Sequence, residues 1–396
     1  MEEYMNKRVM LIANSASMID HFNRDNISIL QSMGCEITVA ANFKEGNSSS
    51  KARVKEFKNE LTDSGIDVID LPIPRKVTQL GKTMRSISIL KTYLRNNPCK
   101  LIHTQTPFGG VVGRLAAKHF RKTDNTKVIY FAHGFHFFKG APKKNYLIYY
   151  NIEKYLSKYT DTLITLNHED FEAASTHFKH TDVSYVPGVG VDTESIYSLS
   201  VNADAKKKEL KLPADKKIIL TVAELIHRKN IEASIRAFAG SKHNDSILVI
   251  CGKGVLLKEL KDLSKELDIS DRVHFLGYRT DILDIYKISD LFLFTSRQEG
   301  LPVSIMQAMA AGLPIVASDI RGNRDLLKPY DESLSKDYLV SVDDIEGFTN
   351  HIDTILSDQE LMCRIGSENY SNCKKYFDIS IVHKAMKNIY ENLLNN

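Results

Sequence analysis

The sequence has no long apolar run. None of its hydrophobic stretches approaches the roughly 20 residues that a membrane-spanning helix requires. The N-terminal residues "MEEYMNKRVMLIAN" enter a predicted strand too early to form a signal peptide. We therefore expect a cytoplasmic protein, in contact with membranes at most from their surface.

Cysteine patterns that would indicate disulfides or zinc are also missing. The five cysteines are odd in number, scattered and never arranged as a CxxC pair. This excludes a disulfide framework and a zinc site of the usual spacing. We expect the cysteines to be buried thiols.

Signatures of several enzyme classes are absent. The chain contains neither a GxSxG nucleophile motif nor a Walker loop, which excludes the corresponding hydrolases and kinases. No DxD-like pair follows a predicted strand, so the residues give no indication of a divalent metal.

The composition is that of a folded two-domain protein. The chain has 396 residues, 26% of them charged and 43% hydrophobic, which predicts two domains without a large disordered region. Residues 1–198 contain 26 Lys and Arg against 20 Asp and Glu, and the rest of the chain contains 27 against 29. This basic excess is too dilute for a nucleic-acid interface. It suits either an ordinary solvated surface or contact with an anionic membrane.

Short β-branched runs alternate with helical patterns along the whole chain. Strands that are apolar on both faces and separated by helices predict a parallel sheet covered on both sides. The predicted strands are 8–14, 35–42, 100–106, 127–134, 161–167 and 183–191, then 218–225, 246–254, 272–278, 290–296, 314–319 and 338–342.

A polar, lysine-rich segment at 198–217 separates the two series of strands. We predict an α/β protein with two Rossmann-like, doubly wound domains at 1–198 and 199–378. A C-terminal helix at 379–396 could cross back to the first domain. Because ligands of open α/β sheets bind at the carboxyl ends of the strands, the site is expected in strand-to-helix loops that face a cleft between the domains.

The stretch "SRQEGLPVSIMQAM" places Glu299 in such a loop, before a helix that begins near Pro302. The amides of Leu301, Val303 and Ser304 would be free at the helix N-terminus and could bind a diphosphate. Glu299 would then contact a hydroxylated group beside the phosphate, such as a sugar.

Gln307 lies eight residues after Glu299, on the same face of the predicted helix, and could bind ribose hydroxyls. A second interpretation stays open. Glu299 could interact only with the helix dipole, and Gln307 could be a solvated helix residue.

The stretch resembles the E-x7-E signature of retaining glycosyltransferases of family 4, which have the GT-B fold. Five further stretches agree with this family in order and spacing: "VPGVGVDT" (186–193), "TVAELIHRKNI" (221–231), "CGKG" (251–254), "VHFLGYRTDI" (273–282) and "IVASDIRGNRDLL" (315–327). The region 129–171 is similar to members that build capsular polysaccharides and exopolysaccharides on lipid carriers.

The resemblance implies roles for individual residues. Glu299 would contact the transferred sugar, and Lys229, with Arg228 beside it, would bind the diphosphate. Two positions depart from the family pattern: Gln307 replaces the acid that holds the ribose, and Glu224 replaces a common arginine. The remaining residues implied on the donor side are Gly252, Gly277, Tyr278, Gly300, Leu301, Pro302 and Val303. The resemblance implies no metal and no cofactor.

His133 follows the predicted strand 127–134 and matches the cleft histidine of the family, which contacts the donor sugar. A lone histidine is otherwise more often a core residue. Gly134 favours the functional interpretation, because it marks a close approach of the backbone. His103 and His136 are weaker candidates for the acceptor side.

Aromatic and basic residues alternate between 135 and 150. Three interpretations stay open: stacking on single-stranded nucleic acid, core packing, and a lip that contacts an anionic membrane. The residues are Phe135, Phe137, Phe138, Tyr146, Tyr149, Tyr150, Lys139, Lys143 and Lys144.

We predict a retaining, metal-independent glycosyltransferase of the hexosyl or N-acetylhexosaminyl type. Its donor would be a nucleotide sugar, of the UDP-hexosamine type, and its acceptor a polyprenyl-diphosphate-linked saccharide at the inner face of the cell membrane. No nucleic-acid partner is expected, and the sequence makes no prediction of the oligomeric state. The alternatives are a sugar-nucleotide epimerase of the same fold and a non-catalytic nucleotide-sugar-binding subunit.

Overall fold

A computed structural model describes residues 7–75, 78–328 and 338–395 of the chain. The chain divides into two compact units, an N-terminal unit of residues up to Val186 together with residues from His383 onward, and a C-terminal unit, Pro187–Val382. The sequence analysis predicted a boundary between 198 and 199, and the first division of the structure lies earlier in the chain, between Val186 and Pro187. The last residues of the chain belong to the N-terminal unit.

The N-terminal unit is built on a parallel sheet. Its strands are β1 (Arg8–Ile12), β2 (Glu36–Ala41), β3 (Asp67–Asp70), β4 (Leu101–Gln105), β5 (Lys127–Ala132), β6 (Thr162–Thr165) and β7 (Asp182–Tyr185). Among the described residues they form a seven-stranded sheet in the order β3-β2-β1-β4-β5-β6-β7, and all neighbouring pairs are parallel.

Helices connect these strands, as a parallel sheet requires. They are α1 (Ala16–Phe22), α2 (Arg24–Ser32), α3 (Lys51–Asp63), α4 (Leu80–Asn96), α5 (Pro107–Ala117), α6 (Phe120–Thr123), α7 (Lys143–Asn145), α8 (Asn151–Leu156) and α9 (His168–His177). A π-helical turn at Tyr146–Tyr150 joins α7 to α8, and a 3-10 turn at Ser157–Tyr159 follows α8.

The C-terminal unit repeats this arrangement. Its strands are β8 (Lys217–Val222), β9 (Ser246–Cys251), β10 (Val273–Gly277), β11 (Leu291–Phe294), β12 (Ile315–Ser318) and β13 (Leu339–Val340). In the described part of the chain they form a six-stranded parallel sheet in the order β10-β9-β8-β11-β12-β13.

The helices of the second half include a 3-10 turn at His227–Lys229 after β8. The α-helices are α10 (Thr193–Ser198), α11 (Ala203–Glu209), α12 (Ile231–Gly240), α13 (Leu257–Glu266), α14 (Ile282–Lys287), α15 (Val303–Ala310), α16 (Arg321–Leu327), α17 (Ile345–Leu356), α18 (Gln359–Tyr376) and α19 (Ile379–Leu394).

The predicted α/β fold with parallel sheets is confirmed. Every predicted strand overlaps an observed one, and the reason is visible in the central strands, where β1 and β8 bury apolar side chains on both faces. The sequence analysis missed β3. This strand lies at the edge of its sheet, is only half-buried and begins and ends with an aspartate, so it lacks the apolar pattern of the others.

The strand orders show where ligands are expected. The order reverses beside β1, next to β4, in the N-terminal unit and beside β8, next to β11, in the C-terminal unit. Open α/β sheets bind ligands at the carboxyl ends of the strands at such a reversal. The loops that follow β4, β8 and β11 therefore hold the first candidates for a site.

The C-terminal helix α19 is held in the N-terminal unit by a buried contact. The hydroxyl of Tyr390 lies 2.7 Å from Nδ1 of His103 in β4, and both side chains are fully buried. On the same helix, Nε2 of His383 lies 3.4 Å from a carboxylate oxygen of Asp25. These contacts explain why the last residues belong to this unit.

Four of the cysteines are buried, as predicted: Cys35, Cys99, Cys251 and Cys373. The prediction is wrong for Cys363, which is exposed. Desolvation raises the pKa of Cys99, Cys251 and Cys373 to about 12. These three thiols are therefore protonated and unreactive near neutral pH.

Candidate active site

Glu299 is a buried carboxylate in the loop between β11 and α15, with 9% of the residue exposed. Its Oε1 accepts hydrogen bonds from Nζ of Lys229 at 2.6 Å and from Oγ of Ser296 at 2.5 Å. Its Oε2 accepts from Nη1 of Arg228 at 3.3 Å. Because an unpaired buried charge is costly, these partners are what allow the carboxylate to remain in this loop.

The loops after β8 and β11 are tied together by Arg228. Its Nη1 donates to the carbonyl of Gln298 at 2.7 Å, and its own carbonyl accepts from the amide of Arg297 at 2.9 Å. Since β8 and β11 are parallel neighbours in the sheet, both loops leave it at the carboxyl ends of the strands. The result is a cluster of two cations and one anion at the carboxyl ends of the strands.

The cluster carries an excess of positive charge that suits an anionic ligand. Two cationic side chains surround one carboxylate, and the side chain of Arg228 is 43% exposed. Guanidinium and ammonium groups make strong, charge-assisted hydrogen bonds to phosphate oxygens. Arg228 and Lys229 can therefore bind a phosphate while they hold Glu299.

Glycine allows the loops around this cluster to approach closely. Gly252 has a φ of +151°, and a Cβ atom there would lie 1.8 Å from the carbonyl oxygen of Ala223. A Cβ atom on Gly254 would lie 2.2 Å from the carbonyl oxygen of Leu225. A larger residue at either position would force the loop after β9 away from the loop after β8.

The start of α15 supplies backbone donors. Pro302 caps the helix in an extended conformation, and Leu301 and Pro302 are buried. The first amides of an α-helix have no partners within the helix, which here applies to the amides of Val303 and Ser304. Such a terminus stabilises an anion through its amides and its dipole.

The remaining donor-side candidates lie on neighbouring loops. Gly300 approaches α16, because a Cβ atom on Gly322 would lie 2.3 Å from the carbonyl oxygen of Gly300. Gly277 ends β10 with a φ of +69°. Tyr278, the next residue, is 65% exposed, and its ring centroid lies 5.9 Å from Nζ of Lys253.

The side chains of the two residues that depart from the family pattern make no hydrogen bond or ion pair with the described residues. Gln307 is half-buried on α15 and its side chain forms no hydrogen bond within the described part of the chain. Glu224 is exposed and forms no ion pair there. Both side chains are thus available to a ligand or to solvent.

His133 follows β5 in the N-terminal unit. Its Nε2 lies 2.9 Å from Oε1 of Gln105, and its ring contacts those of Phe131 and Phe22 at centroid distances of 5.1 and 6.3 Å. Gly134, which follows it, has a φ of +125°. Desolvation lowers the pKa of His133 to about 4, so the ring is neutral near pH 7.

A chain of buried amides fixes the orientation of His133. Gln105 is fully buried at the end of β4, and its Nε2 donates to Oδ1 of Asn23. The same oxygen accepts from Nδ2 of Asn26 at 3.0 Å. With the amide nitrogen of Gln105 used in this way, its Oε1 accepts from His133, which assigns the proton to Nε2. Nδ1 of His133 is left as an acceptor for a substrate hydroxyl.

Sequence reasoning missed this amide chain. The signal was present in "KLIHTQT", where a polar glutamine ends a buried strand beside the strand that leads to His133. Asn23 lies 82 residues before Gln105. Its part in this series of hydrogen-bonded amides could not be predicted from a local pattern.

The two weaker histidine candidates have different surroundings. His103 is fully buried against Tyr390, and desolvation lowers its pKa to about 3. Its side chain therefore has no surface for an acceptor. His136 is half-buried, and its ring lies 4.7 Å from that of Tyr149.

The aromatic residues between 135 and 150 divide into two groups. Phe135 and Phe137 are buried, stack on each other at 4.6 Å and pack against Phe178. For these two, the core-packing interpretation is correct. Phe138, Tyr149 and Tyr150 are partly buried, and Tyr146 is exposed, as are Lys139, Lys143 and Lys144.

An exposed apolar strip follows α7, and only its first residue, Tyr146, was among the aromatic residues singled out in the sequence. We call this strip, whose members are Tyr146, Leu147, Ile148, Ile152 and Tyr155, the apolar strip. Leu147 is 73% exposed. Within the described residues, no helix is long and apolar enough to cross a membrane.

Among the described residues, no cluster of three or more His, Cys, Asp or Glu side chains is arranged to hold a metal. The cationic side chains beside Glu299 are Lys229 and Arg228. Independence from metal remains a prediction.

Both halves of the chain match glycosyltransferase families. Residues 202–372 match the family described as "Glycosyl transferases group 1", and residues 8–167 match "Glycosyl transferase 4-like". Solved structures of similar fold include Anabaena Alr3699/HepE in complex with UDP and glucose (TM-score 0.77, 20% identity, 99% of this chain and 100% of that chain). Sucrose-phosphate synthase from Thermosynechococcus elongatus has a TM-score of 0.76 at 19% identity, over 98% and 100% of the two chains.

Curated relatives match along most of their length. The putative glycosyltransferase EpsD of Bacillus subtilis is 31% identical over 98% of this chain and 97% of its own. The UDP-Gal:alpha-D-GlcNAc-diphosphoundecaprenol alpha-1,3-galactosyltransferase of Escherichia coli is 30% identical over 79% of this chain and 80% of its own. The chain therefore belongs to the group 1, family 4-like glycosyltransferases and has their GT-B fold.

Proposed function

We propose that the protein is a retaining glycosyltransferase of polysaccharide biosynthesis, of the capsular or exopolysaccharide kind. It transfers a hexose or N-acetylhexosamine from a nucleoside diphosphate sugar, of the UDP-hexosamine type, to a polyprenyl-diphosphate-linked saccharide. The observation that carries this proposal is the buried Glu299 carboxylate, held 2.6 Å from Lys229 with Arg228 beside it.

In the proposed reaction, the cations act on the leaving group. Negative charge develops on the nucleoside diphosphate as the glycosidic bond breaks. Lys229, Arg228 and the first amides of α15 stabilise that charge without reorganising, because hydrogen bonds already fix both side chains. This supply of positive charge is why we propose a reaction without a metal.

Glu299 and His133 act on the transferred sugar. The carboxylate stabilises the positive charge that develops on the sugar ring in an oxocarbenium-like transition state. The neutral imidazole of His133 accepts a hydrogen bond from a sugar hydroxyl at Nδ1, because its Nε2 proton is donated to Gln105. Gln307 binds the ribose hydroxyls of the nucleotide.

The names of two relatives support the acceptor and the stereochemistry. The Escherichia coli relative is an alpha-1,3-galactosyltransferase that acts on a diphosphoundecaprenol-linked sugar. The Campylobacter jejuni relative, 23% identical over 98% of this chain and 100% of its own, is an alpha-1,3-N-acetylgalactosaminyltransferase named for a diphospho-undecaprenol acceptor. Both names describe α-linked products on lipid-linked saccharides.

A lipid-linked acceptor implies work at a membrane surface. We place the protein at the inner face of the cell membrane, with Lys139, Lys143 and Lys144 near the lipid phosphates. These lysines are exposed and lie beside the apolar strip. Aromatic and aliphatic side chains enter the membrane interface while lysines interact with anionic headgroups.

A non-catalytic nucleotide-sugar-binding subunit is the second candidate. Gln307 and Glu224 favour it, because each stands at a position where the family has a different residue that binds the nucleotide. Turnover separates the two functions. A catalytic enzyme consumes donor when the lipid-linked acceptor is added, and a binding subunit does not.

The donor is tested with a panel of nucleotide sugars in a thermal-shift assay. A ligand at 100 times its dissociation constant stabilises the protein by about 2.7 kcal/mol, enough for a clear rise in melting temperature. We expect UDP-sugars to produce the largest rise. If no nucleotide sugar shifts the melting temperature, the proposed donor site is wrong.

A further inference from the structure

A basic pocket of about 430 Å³ lies between the ends of α8 and α9. Its lining combines lysine, histidine and hydroxyl-bearing side chains. The lining residues are Tyr150, Lys154, Ser157, Lys158, Thr176, His177, Lys179 and His180. We call it the basic pocket.

The chemistry of the basic pocket suits a phosphate group. None of these eight described lining residues is acidic, and Ser157, Thr176 and Tyr150 add hydroxyl groups. The ammonium groups of Lys154, Lys158 and Lys179 form no ion pair with a described carboxylate. Nζ of Lys179 donates only to a backbone carbonyl, at 3.4 Å. The pocket thus concentrates positive charge that nothing described in the protein neutralises.

The helix dipole explains part of this pattern. Lysines are favoured near the C-terminal ends of α8 and α9, where carbonyl groups are unpaired. The dipole does not require that the lysines of two helices share one concave space with histidines and hydroxyls. A test must therefore separate a shaped pocket from a diffuse basic surface.

The basic pocket adjoins the apolar strip. Tyr150, Lys154 and Ser157 belong to the same helical stretch, 143–159, that carries the strip on its exposed side. Lys143 and Lys144 lie at one end of this stretch and Lys158 at the other, about 20 Å apart at the rise of a helix. An amphipathic helical segment with cationic ends can lie flat in a membrane interface.

The basic pocket is remote from the candidate active site of its unit. It lies where α9 ends and just before β6 begins at Thr162, hence at the amino end of the sheet. His133 follows the carboxyl end of β5, which is parallel to β6. The two sites lie at opposite ends of the strands, so the pocket does not hold the reacting part of the acceptor.

We propose that the basic pocket binds the phosphate headgroup of an anionic phospholipid while the apolar strip enters the membrane interface. The proposal rests on the proposed work at a membrane and adds the lipid class and the residues that recognise it. Charge complementarity between the lysines and the headgroup, together with the adjoining apolar strip, identifies lipid as the occupant.

The experiment is sedimentation of the full chain with phosphatidylglycerol-containing vesicles and with pure phosphatidylcholine vesicles. The test variant replaces Lys154, Lys158 and Lys179 by Gln. Each lysine near an anionic surface contributes about fivefold to binding, so we expect about a hundredfold weaker partitioning onto phosphatidylglycerol. The matched control replaces Lys51, Lys55 and Lys58, which are exposed on α3. If both triple variants partition equally, the pocket has no special role and the proposal is wrong.

A second variant tests the shape of the pocket. Thr176→Phe adds bulk to the lining without changing the charge. We expect it to weaken partitioning onto phosphatidylglycerol at least severalfold and to leave phosphatidylcholine unaffected. Wild-type partitioning of this variant would assign the lipid binding to a diffuse basic surface and overturn the pocket.

A further measurement distinguishes a lipid phosphate from a soluble one. Inorganic phosphate and glycerol 1-phosphate are titrated by calorimetry, and we expect binding far weaker than to vesicles. Tight binding of either, without vesicle binding, would mean a soluble ligand and overturn the lipid proposal.

The Lys154, Lys158 and Lys179 variant should retain wild-type turnover on a water-soluble acceptor. Absence of turnover in the wild type would contradict the proposed function and leave the vesicle result intact.

Discussion

Nζ of Lys229 lies 2.6 Å from Oε1 of Glu299, so that the loops after β8 and β11 meet in one ion pair. With Arg228 as a second cation, the pair forms a site that can hold an anion and a developing positive charge next to each other. Transfer of a sugar from a diphosphate requires both, because negative charge develops on the departing diphosphate and positive charge on the sugar. This pairing is the centre of the proposed chemistry.

We predict that Glu299→Gln lowers turnover by about a hundredfold, because the amide keeps the shape of the side chain and removes its charge near the sugar. Binding of the nucleotide sugar should change little. The measurements are steady-state rates and calorimetric titration of the donor. Glu232→Gln is the control, since Glu232 is an exposed acid on α12 whose paired arginine, Arg236, is four residues away. Equal rates in the two variants would remove Glu299 from the reaction.

We predict that Gln307→Glu binds the nucleotide as tightly as the wild type, or up to about 1 kcal/mol more tightly. A carboxylate accepts from ribose hydroxyls more strongly than an amide, but part of the gain is lost on desolvation. Gln307 is half-buried and its side chain has no hydrogen-bond partner among the described residues, so the exchange breaks no described hydrogen bond. If the variant no longer binds its donor, Gln307 donates its amide to that donor and does not hold the ribose.

We predict that His133→Ala lowers turnover by about two orders of magnitude and leaves the dissociation constant of the donor nearly unchanged. Gln105→Leu should lower turnover about tenfold, because it removes the acceptor of the Nε2 proton. The split between rate and binding separates an effect on orientation from simple unfolding. His103→Asn, which lies in β4 like Gln105, is the control. Wild-type turnover of His133→Ala would make His133 a packing residue.

We predict that His103 makes the protein sensitive to acid. Its pKa is about 3 in the fold against the ordinary 6.5. The unfolded chain therefore binds a proton first as the pH falls below 6.5, and stability is lost down to about pH 3. Between pH 7.5 and 5 this residue should cost about 2 kcal/mol of the free energy of unfolding.

The test of that prediction is urea unfolding of His103→Asn at both pH values. Asparagine places a polar atom near the position of Nδ1, where the Tyr390 hydroxyl binds, and it does not titrate. We expect the variant to lose about 2 kcal/mol less than the wild type on acidification. An equal loss in both proteins would show that His103 titrates normally.

Local patterns were sufficient to predict the sheets and the acidic loop. The run that ends at Phe294 is continuously apolar because β11 is buried on both faces, and Pro302 marks the start of α15 as expected of its fixed φ. Glu299 between them could be assigned to a strand-to-helix loop from spacing alone. The edge strand β3 could not, since its aspartates and its partial exposure hide the strand pattern.

Contacts between distant residues could not be predicted in the same way. The orientation of His133 depends on Gln105 and, through it, on Asn23, which no local spacing relates. For Phe135 and Phe137 the local pattern left core packing, nucleic-acid stacking and membrane contact open, and it is the distant Phe178, packed against both rings, that decides for the core. Leu147 is the reverse case, because an apolar residue in a helical pattern is expected in a core and here lies exposed.

Glycosyl transfer itself is the most direct test of the account. The purified protein is incubated with a polyprenyl-diphosphate-linked N-acetylhexosamine and each of a set of UDP-hexoses and UDP-N-acetylhexosamines, and the lipid product is analysed by mass spectrometry and NMR. We predict that one donor adds a single α-linked sugar to the acceptor, and that Glu299→Gln lowers this rate by about a hundredfold. The account is contradicted if no donor extends the acceptor, or if a nucleotide sugar is isomerised when no acceptor is present.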